Sequence, residues 1–124
     1  MWKDILCVGM GGAVGSILRF ITSRLAARYV SAGWLFAGTF AVNMAGCFLI
    51  GLFAGWMLAH EPENRTLRLL LIVGFCGGYT TFSTFALENL RLLETNQWGL
   101  FVSYTLASVA FGLLAVWGGM KLVG

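Results

Sequence analysis

The chain has 124 residues, 59% of them hydrophobic and only 10% charged, with a formal net charge of +3 and a single proline. Soluble domains carry about 25% charged residues, so this balance excludes a soluble globular protein and points to an integral membrane protein with one compact domain. The basic residues are scattered singly, with no basic stripe, which argues against nucleic acid as a partner.

A single domain of four spans is predicted, over about residues 5–27, 33–59, 67–92 and 97–121. The first run follows Lys3 and Asp4 and carries Gly11, Gly12, Gly15 and then Arg19, which reads as a retained span and not as a cleaved leader. Gly11 and Gly15 form a G-x-x-x-G pair that lets another backbone approach closely. Arg19 lies inside the apolar run, where an arginine is disfavoured by at least about 2.5 kcal/mol. Snorkelling to the interface relieves that, as does lining a wet vestibule. Arg24 and Arg28 mark the end of the span.

Span two carries no charge between Arg28 and Glu61, and its small residues, among them Gly38, Ala41, Gly46, Gly51 and Gly55, suit a packing helix. Asn43 is its only side-chain amide, with Thr39 one turn before it on the same face. An amide there either bonds to another helix or turns its N–H donors toward an anion. The polar loop from His60 to Arg68 holds the lone Pro62. Without a second histidine, His60 reads as an interfacial residue and not as a metal ligand, and Glu61 and Glu63 as a solvated turn.

The densest signal is Gly74 to Glu88, inside span three. Gly77-Gly78 predicts a break near mid-depth. In hydrocarbon, non-helical backbone persists only where protein or a water-filled cavity covers it, so a break there marks an ion or substrate site. Phe82 and Phe85 share a helical face, with the Ser83 and Thr84 hydroxyls beside them. Thr80, Thr81, Ser83 and Thr84 are four hydroxyls in five positions, more than back-bonding to the helix usually requires. Glu88 and Arg91 sit close enough to pair, and no carboxylate is expected at mid-depth. Span four sets Tyr104 and Ser108 on one strip, with Ser103 and Thr105 nearby. Trp2, Trp34, Trp56, Trp98 and Trp117 fall at or near span ends, as an aromatic belt requires.

Cys7, Cys47 and Cys76 sit singly in apolar segments without metal-ligand spacing and read as small apolar side chains. No nucleophile, base and oxyanion arrangement is present, so no enzyme is expected. An even number of spans places the N-terminus, the His60 loop and the C-terminus on one side. Lys3, Arg65, Arg68 and Lys121 lie there, against Arg24, Arg28 and Arg91 on the other, with Arg19 near them. Orientation follows the Lys/Arg bias, and with almost none the chain can insert either way up. Two chains of opposite orientation would make an inverted repeat from identical subunits.

Three stretches in order, Gly11-Gly12-Ala13-Val14-Gly15-Ser16-Ile17-Leu18-Arg19, Gly38-Thr39-Phe40-Ala41-Val42-Asn43-Met44-Ala45-Gly46 and Gly74 through Phe85, resemble the small four-span fluoride channels called CrcB or Fluc. Phe20 departs mildly, where that family more often has tyrosine. The resemblance implies an all-α antiparallel dual-topology homodimer in the cytoplasmic membrane that exports fluoride passively. It also implies a structural Na⁺ at the dimer centre, held by main-chain carbonyls of Gly77 and Thr80 from both subunits. Phe82 and Phe85 would offer ring edges to fluoride, and Thr39, Asn43, Ser83, Thr84, Tyr104 and Ser108 polar groups along the pathway. Two other classes compete. A small dual-topology multidrug exporter would need a membrane-embedded carboxylate in span one, and none follows Asp4 there. A non-transporting assembly subunit would use the same glycines and polar residues only for packing.

Overall fold

A long apolar run inside a bilayer can satisfy its own backbone only as a helix or a closed barrel, and this chain takes the helical solution. The computed structural model describes residues 1–29 and 36–124. Four helical stretches are long and apolar enough to cross a membrane. The first is α1 (Trp2–Tyr29) and the second α2 (Ala37–His60). The third is composite: a short α3 (Arg65–Leu67), a π-wound segment over Arg68–Cys76, a single turn α4 (Gly77–Tyr79), then α5 (Phe82–Glu94). The fourth is α6 (Trp98–Val123).

Lipid tails are as apolar as the side chains, so helices in a membrane associate through close van der Waals contact and not through the hydrophobic effect. Glycine supplies that contact. Gly11 and Gly15 of α1 face the carbonyls of Leu70 and Phe75, and a methyl group on Gly78 would sit 2.6 Å from the Gly12 carbonyl oxygen. The α1 face thus locks onto the first half of the third span, while α2 packs along α6. Among the described residues few apolar side chains are buried: Val42, Met57, Cys76, Tyr79, Leu92 and Tyr104 form the thin core. Most other large apolar residues point outward, as a lipid-facing surface requires.

Asn64 caps the third span by accepting the Leu67 N–H at 3.0 Å. Asp4 and Arg65 meet at 2.9 Å, which ties the start of α1 to the turn after α2 on one side of the bundle. Trp2, Trp56, Trp98 and Trp117 are exposed near helix ends, while Trp34 and the beginning of the predicted second span lie outside the described residues.

The break in the third span lies later than the double glycine predicts. Gly77 and Gly78 are helical, and the extended backbone falls on Thr80 (φ −85°, ψ 161°) and Thr81 (φ −149°, ψ 120°). Gly78 is used for close packing on α1, whereas β-branched threonines fit an extended conformation readily.

Candidate functional site

An extended dipeptide in mid-span leaves main-chain groups that need partners. Asn43 of α2 supplies two: its Oδ1 accepts the Thr81 N–H at 2.9 Å, and its Nδ2 donates to the Thr81 carbonyl at 3.1 Å. The amide therefore acts like one rung of a neighbouring strand. On the far side of the break Thr81 Oγ1 accepts the Thr84 N–H at 3.3 Å and caps α5. Arg19 Nε donates to the Gly78 carbonyl at 3.1 Å, taking the place of a helical donor lost at the break.

Two recesses flank this knot. One, of 380 Å³, is lined by Asn43, Thr80, Thr81, Phe82, Phe85 and Ser108 together with Met44, Cys47 and Cys76. Its aromatic wall is built from the first turn of α5. The Phe82 and Phe85 rings lie 5.9 Å apart, Phe82 is 78% exposed, and Phe85 meets Tyr104 edge-on at 5.0 Å. The second recess, of 230 Å³, holds Arg19, Thr39, Thr81 and Thr84 with Ser16 and Ser23. Thr81 lines both.

The hydroxyls do different jobs. Thr80 bonds back to the Cys76 carbonyl at 2.9 Å, and Thr81 Oγ1 donates to Thr84 Oγ1 at 3.2 Å. Ser83 is exposed, within 3.4 Å of Thr81 Oγ1, and lines neither recess within one protomer. Ser108 reaches the first recess from α6.

Glu88 departs from the sequence expectation. It makes no ion pair with Arg91; among the described residues the only ion pair is Asp4–Arg65. Instead one carboxylate oxygen accepts from buried Thr39 Oγ1 and the other from Tyr104 OH, each at 2.8 Å. A carboxylate therefore belongs to the same strip as the aromatic and hydroxyl groups. The clue was available: an acid inside a span is expensive and reads as functional by default. Its short spacing to Arg91 pointed to a local pair and hid the contacts to α2 and α6.

For a cation, no cluster of three or more His, Cys, Asp or Glu side chains exists among the described residues, which leaves main-chain, hydroxyl and amide oxygens near the break. The Gly77 and Thr80 carbonyls are among those that lose their helical donors there. The Thr81 N–H, which in an unbroken helix would serve the Gly77 carbonyl, goes to Asn43. The Thr84 N–H, which would serve Thr80, goes to Thr81 Oγ1. Hard cations take such oxygens readily. Gly77 is exposed, and a methyl group built on it meets no atom closer than 4.0 Å.

Residues 6–120 match the family described as "CrcB-like protein, Camphor Resistance (CrcB)". A protein of Azotobacter vinelandii named "Fluoride-specific ion channel FluC" is 49% identical over 120 residues, 94% of each chain. A protein of the same name from Flavobacterium psychrophilum is 43% identical over 118 residues, covering 95% of this chain and 94% of that one. "Fluoride-specific ion channel FluC 1" of Mycolicibacterium paratuberculosis is 47% identical over 122 residues, covering 98% and 91%.

Proposed function

The chain belongs to the CrcB family, and we infer that it is a fluoride-specific ion channel, a multi-pass protein of the cytoplasmic membrane that lets fluoride leave the cell. The observation that carries the mechanism is the array at the break: a fixed amide, a pair of phenyl rings and a run of hydroxyls beside one another inside the third span. Fluoride enters past Arg19, Thr39 and Thr84, and moves along Phe82, Phe85 and Ser108, with the buried Tyr104 packed behind Phe85. Hydroxyl hydrogens and the positive edges of phenyl rings replace part of its hydration shell. None of these groups bears a full positive charge except Arg19 at the mouth, so the ion is never bound too tightly to leave. Glu88 holds the Thr39 and Tyr104 hydroxyls in fixed orientations, and an arriving anion competes for their hydrogens.

An interior-negative potential drives an anion outward with about 2.3 kcal/mol per 100 mV, so no second ion need be coupled. The working unit in this reading is an antiparallel homodimer. Its support is the balance of Lys and Arg on the two sides, and the open face at Gly77 and Phe82. Na⁺ fits the same face as a structural ion, since the Gly77 and Thr80 carbonyls lose their helical donors there. Carbonyls bind a cation without adding negative charge that would repel fluoride.

Phe→Ile at position 82 or 85 keeps bulk and apolarity but removes the polarised edge. Fluoride efflux from proteoliposomes should fall sharply in both variants, by about tenfold or more if the edge supplies about 1.4 kcal/mol, while the dimer persists on size exclusion. Unchanged flux in both would take the phenylalanines off the pathway.

A further inference from the structure

We propose that Ser23, Arg24 and Arg28, at the end of α1, form a binding site for the phosphate headgroup of an anionic phospholipid. The argument starts from length. α1 has 28 residues. At 1.5 Å per residue it is about 42 Å long, about 12 Å more than the ~30 Å hydrocarbon core, and the charges at its two ends, Lys3 and Asp4 at the start and Arg24 and Arg28 at the finish, set both ends at headgroup level. Phe20, Ser23, Arg24, Ala27 and Arg28 line a recess of 380 Å³ there, adjoining the Arg19 recess but without Arg19. The Arg24 guanidinium carbon lies 5.8 Å from the Phe20 ring centroid, so the ring steadies that fork.

Neither arginine has a carboxylate partner among the described residues. No Asp or Glu occurs anywhere between Asp4 and Glu61. Arginine forks match phosphate oxygens well, and the Ser23 hydroxyl adds a further donor. Phe20 is 62% exposed and forms the apolar side of the recess. The complementary ligand is therefore an anion with a hydrocarbon tail. A free phosphate would satisfy the arginines and leave the Phe20 wall uncovered, whereas a phospholipid covers both.

The test is native mass spectrometry of the purified protein with dioleoyl-phosphatidylglycerol against dioleoyl-phosphatidylcholine. Retention should favour the glycerol lipid by roughly thirtyfold, as two arginines at about 1 kcal/mol each near an anionic surface imply. The double variant Arg24→Gln/Arg28→Gln should lose that preference, and Lys3→Gln should keep it. Millimolar inorganic phosphate should not displace the lipid. Should the double variant fail to fold, the wild type alone decides: its thermal midpoint should be higher in nanodiscs of phosphatidylglycerol than in nanodiscs of phosphatidylcholine. Equal retention of both lipids, an unaltered preference in the double variant, equal midpoints, or displacement by inorganic phosphate would overturn the proposal. Fluoride flux plays no part in these readouts, so their failure leaves the channel reading untouched.

Discussion

Asn43 grips the Thr81 main chain from both sides, and that pair of bonds holds the extended backbone inside the span. Asn43→Ala would remove both partners of the half-buried Thr81 N–H and carbonyl, a loss of up to about 1–3 kcal/mol for each. A clearly lower thermal midpoint together with lost fluoride efflux is expected. A variant that conducts poorly but melts like the wild type would make Asn43 a pathway group and not a clamp. The sequence made Asn43 legible as an isolated amide in a span, with an interhelical bond as one reading. Its partner was not legible, because Thr81 lies 38 positions away and no periodicity connects them. Glu88 fails for the same reason: spacing offered Arg91, while the real donors come from α2 and α6.

At the scale of the element, the third span shows how two adjacent glycines diverge. A methyl group on Gly78 would lie 2.6 Å from the Gly12 carbonyl oxygen, backbone against backbone, whereas on Gly77 it would meet nothing of its own protomer within ordinary contact. Gly78→Ala should therefore lower the stability of the protomer itself, by about 1–3 kcal/mol as overpacking does. Gly77→Ala should leave the protomer folded and, on the proposed antiparallel-dimer reading, weaken dimerisation, Na⁺ retention and flux. Size exclusion and efflux on both variants check this. A fully dimeric, fully active Gly77→Ala protein would remove that face from the interface. Composition and tryptophan placement made the four spans legible, since lipid exposure imposes a plain apolar pattern. The position of the break was not legible: the sequence shows where backbone is free to bend, and tertiary partners at Asn43 and Arg19 decide where it does.

For the whole molecule, the even spread of Lys and Arg is the feature on which the proposed opposite insertion rests. Adding several lysines to the His60 loop should force one orientation and abolish fluoride resistance in cells. Co-expressing a variant biased the other way should restore it, and full resistance from a uniformly oriented population would contradict the antiparallel dimer. The central claim, however, is passive and selective fluoride conduction, and one measurement bears on it most directly. Proteoliposomes loaded with potassium fluoride or potassium chloride are diluted into ion-poor buffer, and valinomycin is added so that K⁺ can carry the balancing charge. Fluoride should then leave rapidly, only after valinomycin, while chloride stays inside. Comparable chloride efflux, or fluoride efflux that needs no balancing charge, would contradict the account.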